Sequence, residues 1–457
     1  MADKTFHIAM YPWFAMGHII PYLHLSNRLS RRGHRVSFFI PKNTKPKLQH
    51  LNLHPDLITF IPLSVPPVNG LPPSTETTAD IPCTAGVPYD QVPLLITAMD
   101  LTQPTIEASL RDLKPQFVFF DFSYWMPALA RRLGIKSVCH FINYAANVGY
   151  LGSPARKSLS ADFTEPPAGF PRSSIKLHPK EALAAVGFLE ACGGGLSLTD
   201  RVSTALRECD AISFNACAEM EGQYCDYVGE QFKRPVILAG LVRPMPPPEV
   251  ALDKQWEAWL GGFGERTVIY CALGSECLLP RQLFQELVLG LELTGMPFLA
   301  ALKPAGGGGV EAALPEGFLE RTKGRGIVYG GWVPQPMILS HPAVGCFVTH
   351  SGPGSISEAM GCECQLVLIP LRTDFIVNAR MIARDLKVGV EVEKGEDDEF
   401  FSREGVCKAI KMAMDEDSEV GKVTKTNLAK WRQFLRSDGL ESSYMDSFIE
   451  QLQGMSQ

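Results

Sequence analysis

Two stretches of this chain carry side chains whose types and spacing suit chemistry. The first is Pro12-Trp13-Phe14-Ala15-Met16-Gly17-His18-Ile19-Ile20-Pro21, where a histidine stands between an apolar run and a helical pattern. An imidazole titrates near the operating pH and can take a proton from a hydroxyl within ~3 Å. A base of this kind is commonly oriented by a carboxylate, which fixes its tautomer and stabilises the imidazolium. Asp121, in Phe119-Phe120-Asp121-Phe122, ends an apolar strand pattern where an unpaired charge would be costly. His18 reads as a general base and Asp121 as its orienting partner.

The second stretch runs from Trp332 to Phe375, WVPQPMILSHPAVGCFVTHSGPGSISEAMGCECQLVLIPLRTDF. It reads as an aromatic platform, a buried strand ending in His350, a glycine-rich turn and a helix start. That arrangement suits a nucleotide whose base stacks at one end and whose phosphates meet a helix N-terminus at the other. The segment resembles the donor-binding box of plant secondary-product UDP-glycosyltransferases, W-x-P-Q through H-x-A-V-G-x-F-x-T-H-x-G to an acidic residue. The resemblance covers essentially the whole chain and implies the GT-B fold, a UDP-sugar donor and no resident cofactor or metal.

Roles follow for individual positions. Trp332, with Val333 beside it, offers a ring for stacking uracil, and Gln335 offers polar groups to ribose. His350, Gly352, Gly354 and Ser355 face the diphosphate, where glycine lets backbone N–H groups approach an anion and the helix adds its positive end. Glu358 matches the position whose carboxylate holds the ribose hydroxyls. Ser275, after Gly274, brings a second hydroxyl to the phosphates.

The departures from the pattern are informative. Ser351, Pro353 and Gly354 stand where members usually have Cys, an aromatic and Asn, so Gly354 substitutes a backbone N–H for a side-chain contact. The box ends Asp374-Phe375 instead of Asp-Gln. A phenyl ring cannot pair with a sugar hydroxyl, and leaving one unpaired costs about 1–3 kcal/mol. A donor lacking a hydroxyl or carrying a methyl group, such as rhamnose or xylose, becomes more attractive. If Phe375 turns away, Asp374 and Arg372 read glucose instead.

Elements that could position these groups alternate in both halves. His7 to Tyr11 reads as a strand, Ile19 to Arg32 as a helix and Arg35 to Ile40 as the next strand, a β-α-β unit. Phe117–Phe122, Ser137–Ile142 and Ala211–Asn215 continue it, followed by Val268–Leu273, Phe298–Leu302, Gly326–Tyr329, Cys346–Thr349 and Leu366–Ile369. The expected architecture is α/β, with two Rossmann-like doubly wound domains facing each other across a cleft. Residues 1–242 form the acceptor-binding domain and 251–430 the donor-binding domain. The proline-dense 243–250 is a semi-rigid linker. A long helical pattern from about Lys422 to Gln453 closes the chain, and in this family the tail (431–457) packs back on the N-terminal domain.

Composition narrows the class. At 457 residues, two domains are the default, and 46% hydrophobic with 20% charged residues describes a soluble enzyme-like chain. A net charge of −6 and a pI near 6.0 give no footprint for nucleic acid or for an anionic membrane surface. No apolar run is long enough to span a bilayer, and the N-terminus lacks a signal-peptide pattern. Twelve scattered cysteines read as reduced core residues of a cytoplasmic protein, and Cys362-x-Cys364 alone makes no zinc site. Glycine runs 193–195 and 306–309 and acidic runs 396–399 and 415–417 read as solvated loops or helix ends. We expect a monomer.

The acceptor is expected between N-terminal loops rich in aromatic residues: Trp13, Phe14, Phe122, Phe141, Tyr144, and also Tyr124 and Trp125. A flat, apolar small molecule fits such a lining. The strings PWFAMGHIIPYLHLSNRL and HSGPGSISEAMGCECQLVLIPL are similar to members that add a sugar to a sugar on a flavonoid or related glycoside. Two rivals share the fold. A dinucleotide-dependent oxidoreductase needs GxGxxG in the first turn, where this chain has Ala15-Met16-Gly17-His18. A non-catalytic UDP-sugar-binding protein has no need of His18 and Asp121.

Overall fold

The computed structural model describes residues 5–81, 91–156, 160–190, 192–193, 195–241, 252–274, 276–306, 308–394, 400–415 and 417–456. Its first sheet holds seven parallel strands: β1 (His7–Tyr11), β2 (Arg35–Pro41), β3 (Ile58–Leu63), β4 (Phe117–Phe120), β5 (Lys136–Phe141), β6 (Ala211–Phe214) and β7 (Val236–Leu238). Their order across the sheet is 3-2-1-4-5-6-7. The second sheet holds β8 (Val268–Ala272), β9 (Phe298–Ala301), β10 (Gly326–Tyr329), β11 (Val344–Thr349), β12 (Gln365–Leu368) and β13 (Val390–Glu391). It is also parallel, in the order 10-9-8-11-12-13.

Strands covered by helices on both faces need apolar side chains on both. β4, β6, β8 and β11 are buried at every residue, which is why they appear in the sequence as unbroken apolar runs. β3, β7 and β13, at or next to the sheet edges, are shorter or partly exposed and were not anticipated.

In each sheet the winding direction reverses between the first strand and its neighbour. In such sheets ligands bind beyond the strand C-termini at that reversal. In the first sheet the reversal lies between β1 and β4, with Tyr11 opposite Phe120, so the segments bearing His18 and Asp121 emerge side by side. In the second it lies between β8 and β11, with Ala272 opposite Thr349, so Gly274 and His350 emerge together.

The C-terminal helical pattern is two helices, Glu419–Leu435 and Leu440–Met455, separated at Gly439, which has φ +79°. The first packs on helices and a strand of the C-terminal half, with Leu428 and Leu435 buried. Met445, Phe448, Ile449 and Leu452 of the second bury in the cluster containing Ile8 and Val36. Arg32 pairs with Asp446 at 2.9 Å, and Tyr444 Oη accepts from Ala218 N–H at 2.7 Å. The crossing therefore falls at 436–439, later than the expected 430/431, because a left-handed glycine is what interrupts the helix. The expected linker 243–250, Ser275, Gly194, Gly307, the acidic run 396–399 and Glu416 lie outside the described residues.

Candidate active site

Helix Met16–Ser30 begins just after β1 and places His18 in its first turn, facing a cleft of about 580 Å³ between the two sheets. Asp121 follows β4 and is almost wholly buried. His18 Nδ1–H donates to Asp121 Oδ2 at 2.7 Å. The other carboxylate oxygen accepts from Phe122 N–H at 2.8 Å, which holds the group still. Donation from Nδ1 leaves Nε2 as the atom with a free lone pair, as a base requires.

The opposite wall is built from the second stretch. Trp332 is 77% exposed at the rim, so it is no core residue, while Val333 beneath it is buried. Gln335 opens a short helix, and its Nε2 donates to Ser355 Oγ at 3.1 Å and Glu358 Oε2 at 2.8 Å. Tyr270 Oη donates to Gln335 Oε1 at 3.3 Å. Burial pushes the Glu358 carboxyl up to about 7, with the Gln335 hydrogen bond opposing.

His350 sits between two glycines, and its neighbourhood explains them. A Cβ on Gly352 would come within 2.5 Å of His350 Nε2, and one on Gly274, which has φ +88°, within 3.1 Å of the ring. Gly354 has open space around it instead. Burial pushes the imidazole down to about 4, so it is uncharged at neutral pH. Nδ1 has no hydrogen-bond partner among the described residues. Gly352 precedes helix Pro353–Met360 and directs its N-terminus at the cleft.

Asp374 and Phe375 open helix Thr373–Arg380 and line the cleft next to His350. Burial pushes the Asp374 carboxyl up, with Arg372 and His18 pulling the other way. Trp13, Phe122, Phe141 and Tyr144 line the N-terminal wall. Phe14 does not: it is fully buried, edge-on to Tyr11 at 6.0 Å and behind Trp13. Tyr124 and Trp125 also lie outside the lining. Arg201 stacks on Tyr124 at 4.9 Å, and Trp125 Nε1–H donates to Asp100 at 3.0 Å. Sequence alone cannot tell which aromatic residues of such a loop face inward.

Among the cleft residues that were not anticipated, Glu276, Thr78 and Asn147 join the two halves. Glu276 reaches across to the N-terminal half, where Met16 N–H donates to Oε1 at 3.2 Å and Thr78 Oγ–H donates to Oε2 at 2.7 Å. Its place directly after Gly274-Ser275 was the available signal. Asn147, on helix Ala145–Leu151, donates to the Asp374 carbonyl at 2.7 Å. Nothing in its local sequence announces this.

The chain matches the family model described as "UDP-glucoronosyl and UDP-glucosyl transferase" over residues 227–428. It is 53% identical over 462 residues to the cyanidin 3-O-galactoside 2''-O-xylosyltransferase of Actinidia chinensis var. chinensis, covering 100% of both chains. This chain belongs to the plant UDP-glycosyltransferases. It is also 50% identical over 458 residues to the anthocyanidin 3-O-glucoside 2''-O-glucosyltransferase of Ipomoea nil, covering 99% of this chain and 98% of that one. Among solved structures, a UDP-glucose: anthocyanidin 3-O-glucosyltransferase in complex with UDP superposes with TM-score 0.78 at 22% identity, covering 99% and 100% of the chains. Glycyrrhiza uralensis UGT73P12, complexed with glycyrrhetinic acid 3-O-monoglucuronide, gives TM-score 0.77 at 21% identity, covering 99% and 96%. The glycosyltransferase thus has the GT-B fold and resembles the branch-forming, sugar-on-sugar members. No helix among its described residues is long and apolar enough to cross a membrane.

Proposed function

We propose that this glycosyltransferase transfers a sugar from a UDP-sugar to a sugar hydroxyl of a flavonoid glycoside, with inversion at the anomeric carbon. The observation that carries the reading is the 2.7 Å hydrogen bond from His18 Nδ1 to Asp121, in a cleft whose facing wall is the His350 turn. Nε2 takes the acceptor proton while the acceptor oxygen bonds to the anomeric carbon. The bond from that carbon to the β-phosphate oxygen breaks, and its electron pair leaves with UDP. The proton stays on His18, where Asp121 stabilises the imidazolium. His350 N–H, the backbone of the glycine turn and the N-terminus of helix Pro353–Met360 receive the developing negative charge. No step in this reading requires a metal ion.

Two relatives, by their names, act at a 2''-hydroxyl of 3-O-glycosylated pigments, which supports a glycoside acceptor and the same position here. For the donor, the phenyl wall at Phe375 favours a sugar with fewer hydroxyls, xylose or rhamnose, and one relative is named a xylosyltransferase. A second reading, UDP-glucose, is supported by the relative named a glucosyltransferase. The described cysteines are all free, which fits the reducing cytoplasm.

The test offers UDP-xylose, UDP-rhamnose, UDP-glucose and UDP-galactose with a flavonoid 3-O-monoglucoside and with its aglycone. Products are read by mass and linkage analysis. Transfer to the aglycone alone would sink the glycoside reading. UDP-sugar binding without transfer to either acceptor would leave a binding protein instead.

A further inference from the structure

The contact between the two walls of the cleft carries one more assignment. Asn147 is buried on the acceptor side, and its Nδ2 donates to the Asp374 carbonyl at 2.7 Å and to Asn378 Oδ1 at 3.4 Å. Asn378 lies one helical turn beyond Asp374 and is fully buried. Its own Nδ2 donates to the Ser351 carbonyl at 3.3 Å. Ser351 follows His350 and has φ +73°, a left-handed conformation uncommon for a residue with a Cβ. One side-chain amide of the N-terminal domain therefore touches the helix bearing Asp374 and Phe375. Through Asn378 it also reaches the turn bearing His350.

Side-chain chemistry makes the chain directional. Asn378 uses its N–H on Ser351, which leaves its oxygen to accept from Asn147. An apolar side chain at 147 would strand that buried oxygen. A backbone carbonyl inside a helix has a second lone pair to offer, and Asn147 uses it at Asp374.

We infer that Asn147 is a positioning residue that registers the donor-sugar helix against the acceptor wall, so that Asp374 and Phe375 meet the sugar when the two domains are aligned. The inference rests on the reading of those two residues as sugar contacts. Trp332, Glu358 and the His350 turn, which receive the UDP portion, all belong to the C-terminal domain. Loss of the Asn147 amide should therefore act on transfer and on sugar discrimination, and leave UDP affinity alone.

The experiment uses the full-length enzyme with Asn147→Ala, Asn147→Leu and Asn378→Ala, and the double variant N147A/N378A. UDP affinity is read by calorimetry, Tm by thermal unfolding, and kcat and KM with UDP-xylose and UDP-glucose. For both Asn147 variants we expect a UDP Kd within about twofold of wild type. We expect a kcat lower by roughly 10- to 100-fold and an altered xylose-to-glucose ratio. The double variant should be no worse than the more damaging single one, because both break the same chain. Unchanged kcat and ratio in N147A would overturn the inference. So would UDP affinity and Tm falling in step with kcat, which would mark a merely structural role. A wild-type enzyme that transfers neither sugar would overturn the proposed reaction itself, and the inference with it.

Discussion

His350 and Phe375 meet edge to face, with ring centroids 4.7 Å apart and planes at 82°. The Arg372 guanidinium lies 5.5 Å from the phenyl centroid on the same wall. An edge-to-face pair contributes about 0.5–1.5 kcal/mol beyond burial. Phe375, proposed to face the donor sugar, therefore also packs against the imidazole of the turn proposed for the diphosphate. Phe375→Gln should do two things at once. A new amide for sugar hydroxyls should shift the kcat/KM ratio of UDP-glucose to UDP-xylose upward by up to about tenfold. Loosening His350 should lower kcat/KM for both donors. Steady-state kinetics with the two donors decides it, and an unchanged ratio would mean the ring does not read the sugar.

The proposed catalytic pair, His18 and Asp121, predicts a split between chemistry and binding. His18→Ala should lower kcat by about 10²–10⁴-fold, the usual contribution of a general base. Asp121→Asn retains the shape and can keep one hydrogen bond at the carboxyl position, but lets the imidazole adopt the wrong tautomer. It should lower kcat by at least about 10²-fold. UDP affinity should be unchanged in both, since the turn proposed to meet the diphosphate is on the other domain. An H18A enzyme that retains wild-type kcat would remove His18 from the mechanism.

Much of this arrangement was legible in the sequence because parallel strands buried on both faces leave unbroken apolar runs. His7–Tyr11 was found at its observed limits for that reason, whereas Gly326–Tyr329, a half-exposed edge strand, was found from its short Ile-Val-Tyr run. That Trp332, Gln335, His350, Glu358 and Asp374 line one cleft was legible because they sit within one contiguous stretch, so their spacing survives in the sequence. Phe14 was misplaced because the turn between β1 and its helix has no period from which to read its facing. Glu276, Thr78 and Asn147 were missed for a different reason. Each acts through a contact with the other domain, and sequence spacing holds no information about which loops meet across a cleft.

Glycine substitutions should sort the turn by sterics alone. Gly352→Ala forces a methyl group to within 2.5 Å of His350 Nε2, closer than real Cβ contacts allow, so the ring must move. UDP affinity should fall by about tenfold or more, the equivalent of losing one well-made hydrogen bond to a charged ligand. Gly354→Ala meets nothing within 4 Å and should bind UDP within about twofold of wild type. Calorimetric titration of UDP into both variants checks the contrast. Equal losses would mean that the conformational freedom of the turn matters, and not the space beside His350.

Glu358 predicts opposite pH dependences for stability and for donor binding. Its folded carboxyl titrates at about 7, above the ordinary 4.5, because burial disfavours the charged form. Folded protein therefore holds a proton that the unfolded chain has released, so this group's contribution to stability is full below about 4.5 and is lost as pH rises to about 7. Glu221, fully buried and pushed up to about 8, should continue the same trend. Ribose hydroxyls, which Glu358 is proposed to hold, donate best to the ionised carboxylate, so UDP-sugar affinity should rise over that interval, by at most about tenfold per pH unit. The sugar diphosphate does not titrate there, and His350, at about 4, lies below it. In the unliganded enzyme Tm should fall from pH 5 to 7 while the UDP-sugar Kd also falls. Glu358→Gln should flatten the binding profile and leave the part of the stability slope that belongs to Glu221. A binding slope that survives in E358Q would move the ribose contact to another residue.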